Sequence, residues 1–246
     1  MLESRRQTDK QTLGANPLMT SQDPFRELEK LMARLRAPGG CPWDKRQTHQ
    51  SLKPYLLEEA HETLEAIDQG DPEAIREELG DVLLQVVFHA QLAKEKGKFT
   101  FKDVARAINE KLVRRHPHVF GNAGKSTISQ VNARWEQIKK EEKPQRKSVL
   151  DGLPKSLPAL HRAQRMHEKL SKGHPEESPA RLKKVLDKRW KEFQKALNGN
   201  KKGSEMAAGD FLLAFTALAQ AKGLHAEMAL RKASSRHEKR HRNQKH

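Results

Sequence analysis

The feature that most constrains this chain is an apolar stripe that recurs every three or four residues. Ile75, Leu79, Val82, Leu83, Val86, Val87 and Ala90 keep that step without a break. Residues so spaced share one face of an α-helix, whereas a half-buried strand needs a two-residue alternation. The stripe predicts a long amphipathic helix opening at Pro72 and ending near Gly97. Pro72 suits a first helical turn, where its missing N–H has no partner to lose. Upstream, Leu52, Leu56, Leu57, Ala60, Leu64 and Ile67 define another helix, broken at Gln69-Gly70-Asp71-Pro72. Further helices are expected over Asp103–Arg115, stopped by Pro117, and from a cap at Ser129 through Val131, Trp135 and Ile138. Helical patterning resumes at Leu182–Leu197 and Met206–Ala221. No stretch alternates as a strand would, so the expected fold class is all-α.

Composition narrows the function. Of 246 residues, 33% are charged and 35% hydrophobic, which favours exposed helices around modest cores. No apolar run approaches the ~18 residues of a membrane span. The first 22 residues lack the apolar segment of an export signal and read as a disordered extension, with Met19 an alternative start. A single cysteine, Cys41, excludes an internal disulfide and a multi-cysteine metal site, and the cytoplasm is the expected location. The net charge of +16 attracts polyanions, and Arg231–His246 forms a basic end suited to non-specific polyanion binding.

The second half repeats the first in worn form. Gly80-Asp81-Val82-Leu83-Leu84 returns as Gly209-Asp210-Phe211-Leu212-Leu213. Each copy continues into an apolar helix, a turn containing glycine, and a basic helix. Lys111–Arg115 has its counterpart in Arg236–Arg240. Between the copies, Pro144, Pro154 and Pro158 mark a linker.

The chemistry lies in carboxylates. Glu58, Glu59 and Glu62 stand three and four apart on one helix, and Glu78 and Asp81 stand three apart on the next. In an antiparallel hairpin, four or five of them converge beside the apolar stripes. Carboxylates packed that way repel one another unless a cation compensates. Oxygen-only ligands select a hard ion, Mg²⁺ with Mn²⁺ as a substitute, and Mg²⁺ commonly binds substrate phosphates. A di-iron centre needs a second Glu-x-x-His beside Glu58–His61, and Glu78-Leu79-Gly80-Asp81 lacks the histidine. Gly121–Thr127 mimics a phosphate-binding loop, but Val119 stands where the first glycine belongs and no strand precedes it.

Several of these motifs together resemble MazG-type nucleoside triphosphate pyrophosphohydrolases. The residues are Cys41-Pro42-Trp43-Asp44, Gln47-Thr48-His49, Tyr55-Leu56-Leu57-Glu58-Glu59, Glu78-Leu79-Gly80-Asp81, Arg114–Phe120 and the linker Leu150–Leu160. The resemblance implies tandem MazG-like helical domains, each an all-α fold whose four-helix core is completed by dimerisation or higher homo-oligomer formation. It divides the chain into an extension (1–22), a catalytic domain (23–142), a linker (143–160) and a degenerate domain (161–246). It implies Mg²⁺-dependent cleavage of nucleoside triphosphates between the α and β phosphates. Glu59, Glu62, Glu78 and Asp81 become the expected metal ligands, and Glu58 the base or a second-metal ligand. Lys111, Arg114 and Arg115 are placed to meet a triphosphate, since arginine suits bidentate phosphate contact. Asn109 is a candidate for reading a base or sugar edge. Trp43 is either a base-stacking or a core aromatic. His116 and His118 read as turn and packing residues.

The second half departs from that pattern. Trp190-Lys191-Glu192-Phe193-Gln194-Lys195 keeps one glutamate of three, and Ala207-Ala208-Gly209-Asp210 keeps only the aspartate. Lys191 and Lys195 repel Mg²⁺. The second domain is therefore expected to fold but not to catalyse. A rival reading, a basic helical nucleic-acid-binding module with structural carboxylates, rests on the net charge and the basic end.

Overall fold

A computed structural model describes residues 23–121, 126–142, 144–145, 148–172 and 177–243. The expected N-terminal extension, and most of the loop-like Gly121–Thr127 segment, lie outside them. Among the described residues there are eleven helices and no strand. The chain divides into two compact units, Met1–Lys139 and Lys140–His246.

The first unit opens with α1 (Pro24–Arg36), capped by the Asp23 carboxylate, which accepts from the Phe25 and Arg26 N–H groups. This helix is additional to those expected, although Leu28, Met32 and Leu35 carry the helical step. The chain then reverses tightly. The Cys41 N–H donates to the Leu35 carbonyl at 2.7 Å, and a Cβ on Gly40 would fall 2.2 Å from that same oxygen. Only glycine allows so close an approach. α2 (Pro42–Arg46) follows, then α3 (Lys53–Gln69) and α4 (Pro72–Glu95). Gly70, left-handed at φ 74°, ends α3, and Asp71 accepts from the Glu73 N–H to start α4. The two long helices pack on each other as the expected hairpin, and α1 packs on α4. Met32, Leu52, Val87, Phe88 and Leu92 form the buried core, lined by Leu28, Leu83, Leu84 and Phe101.

α5 (Phe101–Arg115) begins with a reciprocal cap. Thr100 accepts from the Asp103 N–H, and Asp103 accepts from the Thr100 N–H. His116 closes it, with Nδ1 2.7 Å from the Leu112 carbonyl, and also leads into α6 (Pro117–Phe120). The expected cap of α7 (Ile128–Glu141) is displaced: Ser129 lies inside the helix, and Thr127 Oγ1 accepts from the Gln130 N–H.

The second unit repeats this order. The described part of the linker folds onto it, because Lys169 donates to the Val149 carbonyl at 2.8 Å. α8 (Ala159–Ser171) begins within the stretch expected to be linker. α9 (Pro179–Ala196) and α10 (Lys201–Ala221) form the second hairpin, α8 packs on α10, and α11 (Ala226–Asn243) follows. Most of the basic end is therefore helical. Each hairpin also ends alike: Lys98 N–H donates to the Ala93 carbonyl across Gly97, and Leu224 N–H to Ala219 across Gly223. Buried Gln164 of α8 donates to the Leu224 carbonyl and accepts from the Ala226 N–H, fixing the start of α11.

Candidate metal centre

The α3–α4 hairpin brings three carboxylates together. Glu59 from α3 and Glu78 and Asp81 from α4 each offer an oxygen within 4.8 Å of the others, and all three are partly buried. The three-residue step puts Glu78 and Asp81 on one face of α4, and the antiparallel pairing sets Glu59 opposite. Partial burial raises the Glu59 pKa, reinforced by the charges of Asp81, Glu62 and Glu78 and by a hydrogen bond that protonated Glu59 donates to the Glu62 carboxylate. Glu78 is raised by desolvation first, then by Glu62, Asp81 and Glu77. The charges that shift these two groups are all negative, and the cations of α5 are not among them. Such a site gains from a hard divalent cation, and its all-oxygen donor set fits one.

The remaining expected residues take different places. Glu62 is exposed but within electrostatic reach of Glu59 and Glu78, outside the close trio. Glu58 is exposed on α3. Trp43 is not a core aromatic: it is 49% exposed, and its ring meets Tyr55 edge-on at 5.6 Å. On α5, Asn109, Lys111 and Arg114 are exposed. Arg115 lies over the Trp135 ring, 5.2 Å from its centroid, and His116 meets the same ring edge-on.

Sequence reasoning missed a histidine pair in this unit. His49, before α3, and His89, within α4, stack at 5.1 Å with Nδ1 atoms 2.9 Å apart. One nitrogen must donate and the other accept. Burial and then His49 push the His89 pKa down. The two residues are 40 positions apart, and no spacing rule connects them.

The second unit resolves the equivalent position differently. Glu192 and Asp210 stand where the repeat places Glu59 and Asp81. Between them lies Arg189, 2.8 Å from Glu192 and 3.3 Å from Asp210. Its hydrogen bond holds Glu192 below the usual range. A guanidinium thus neutralises the two acids that remain. Trp190, Phe193 and Phe211 of the same hairpin pack on one another, with ring centroids 5.3–6.3 Å apart.

These features define an all-α helical-hairpin protein with a carboxylate cluster at the hairpin seam. Residues 47–120, which span both acidic motifs, match the MazG nucleotide pyrophosphohydrolase domain. The nucleoside triphosphate pyrophosphohydrolase/pyrophosphatase MazG of Thermotoga maritima is 45% identical over 212 residues, 85% of this chain and 81% of that protein. The nucleoside triphosphate pyrophosphohydrolase of Escherichia coli is 44% identical over 221 residues, 86% and 83% of the two chains. That of Mycobacterium tuberculosis is 44% identical over 145 residues, 58% of this chain and 43% of the relative. The chain belongs to the MazG family.

Proposed function

We propose that the first unit hydrolyses nucleoside triphosphates to a monophosphate and pyrophosphate with Mg²⁺, and that the second unit does not catalyse. The observation that carries this reading is the convergence of Glu59, Glu78 and Asp81 at a partly buried seam, where desolvation and then neighbouring carboxylates raise the pKa of Glu59 and Glu78. The names of the relatives supply the reaction. Glu59, Glu78 and Asp81 would hold the cation, with Glu62 the fourth ligand. When bound, the cation supplies charge neutralisation to the triphosphate and acidifies water.

The chain's own residues provide the rest. Glu58, exposed on α3 and adjacent to Glu59 in the chain, is assigned to accept the proton of the attacking water on its carboxylate. The water oxygen bonds to the α-phosphorus, and the bridging oxygen leaves with pyrophosphate. Lys111, Arg114 and Arg115 are assigned to the phosphate oxygens, Asn109 to the base or sugar, and Trp43 to the base.

Dimerisation belongs to the same proposal. Leu56, Leu57 and Ile67 of α3 and Leu79 of α4 are exposed on the hairpin that carries the acids. A second copy laid against them would complete a four-helix bundle. In the second unit, the Arg189 bridge and the loss of acids at Lys191, Lys195 and Ala207 support inactivity.

The deciding experiment is a nucleotide panel with pyrophosphate and orthophosphate measured separately, with and without Mg²⁺. Pyrophosphate as the first product, dependent on Mg²⁺ and lost in Glu59→Ala, is expected. Orthophosphate as the primary product, or unchanged turnover in the variant, would sink the reading.

A further inference from the structure

A buried guanidinium organises the segment that carries Trp43. Arg36 is the last residue of α1, and only 8% of its side chain is exposed. Its Nε and Nη2 donate to the two oxygens of Glu95 at 2.8 and 2.7 Å, a bidentate pair between α1 and α4. Its Nη1 donates to the Asp44 carbonyl and, at 3.4 Å, to the Gln47 carbonyl. The same group lies 5.5 Å over the Phe88 ring. A planar fork of five donors can serve both helices and loop at once, which a lysine ammonium cannot.

The segment is also fixed from the α3 side. Gln47 Nε2 donates to the Trp43 carbonyl at 3.1 Å, and the Ser51 hydroxyl donates to Gln47 Oε1 at 2.7 Å. The Trp43 backbone is therefore held firmly while its ring stays half exposed against Tyr55. Tyr55 precedes Glu59 by four residues and Glu62 by seven, so all three share a face of α3. At a rise of about 1.5 Å per residue, the aromatic pair lies about 6 Å along the axis from the carboxylate cluster. A buried ion pair gives little net stability over apolar packing, but it fixes direction.

We propose that Arg36 is a positioning residue: through the Asp44 and Gln47 carbonyls it holds Trp43 beside Tyr55 as a rigid platform for the nucleobase of the substrate. Glu95 aims the guanidinium, and Gln91 in turn donates to Glu95 at 3.0 Å. The inference rests on the activity proposed above.

The test uses the full chain with Trp135→Phe and Trp190→Phe, which leaves Trp43 as the single fluorophore of the original three tryptophans. In that background Arg36→Met is expected to raise KM about tenfold, the scale of losing one base stack, with kcat within about twofold. Trp43 anisotropy falls and its quenching by acrylamide rises. Arg36→Lys shifts both readouts the same way, and Glu95→Gln does so more weakly; these two serve if Arg36→Met does not fold. In a Trp43→Ala background Arg36→Met adds no further rise in KM. Leu92→Ala, which weakens the core, leaves KM and Trp43 anisotropy unchanged. A fall in kcat at constant KM, unchanged Trp43 anisotropy, or the same shifts in Leu92→Ala would overturn the proposal. The anisotropy needs no substrate. A wild type that releases no pyrophosphate therefore sinks the proposed activity, while the anisotropy still shows whether the Arg36 clasp holds Trp43.

Discussion

Glu59 works against the fold that positions it. The metal-free protein confines it beside Glu62, Glu78 and Asp81, and burial raises its pKa. Glu59→Gln should lower Mg²⁺-dependent turnover by on the order of a hundredfold or more, since even outer partners of metal ligands are worth about 10–100-fold. The same change should leave the metal-free melting temperature equal or higher, because one repelling charge is gone. Calorimetric Mg²⁺ titration and thermal melts measure both effects; undiminished Mg²⁺ affinity would remove Glu59 from the ligand set. The pH dependence follows from the same shifts. The ordinary value of a glutamate is 4.5, and Glu59 and Glu78 lie above it when folded. From 4.5 up through the raised values the folded state binds more protons, so metal-free stability falls as pH rises through that window. Saturating Mg²⁺ should flatten the slope, as should Glu59→Gln combined with Glu78→Gln. His89 has the opposite sign. Its folded value lies below 6.5, so stability is lost as pH falls from 6.5 through the folded value. Urea melts from about pH 4 to about pH 8 separate the two windows.

At the scale of elements, the turn between α1 and α2 is the most demanding. A Cβ at position 40 would meet both the Arg34 and Leu35 carbonyls, so Gly40→Ala must shift backbone rather than a side-chain tip. A cost of about 1–3 kcal/mol is expected in chemical denaturation, and an unchanged midpoint would show that the turn yields. The hairpin itself is legible in the sequence: the stripes over 52–67 and 75–90 and the Gly70–Pro72 break give α3 and α4 to within a few residues. α1 and α8 are harder to read, although α1 carries an apolar step; both are short, and their faces matter chiefly as covers for α4 and α10. The cap at Thr127 rather than Ser129 shows how two nearby polar residues compete until the backbone decides.

At the scale of the whole molecule, the exposed apolar hairpin face sets the expectations. Leu57 is 59% exposed in the single chain. Leu57→Arg should therefore yield a monomer by light scattering and reduce turnover; a monomeric wild type, or an unaffected assembly, would refute the dimer. The second unit is tested in the intact chain. Glu192→Gln combined with Asp210→Asn should leave turnover within about twofold, because Arg189 already neutralises both acids and solvent screens exposed pairs of this kind. A large loss would mean that the second unit contributes to catalysis.

The sequence by itself determined the helical class and put forward the tandem repeat and five candidate acids, because these depend on spacing along one chain. Periodicity assigns faces, and an i, i+3 step places two carboxylates side by side whatever surrounds them. It also revealed the loss of acids in the second copy. Only the tertiary structure decided which acids converge: Glu59, Glu78 and Asp81 form the close trio, while Glu58 and Glu62 remain exposed. It alone joined Arg36 to Glu95 across 59 residues and His49 to His89 across 40, and set Arg189 between Glu192 and Asp210. Such pairings depend on how helices pack after they form. Packing distances are set by the core residues between the partners, and local spacing does not encode them.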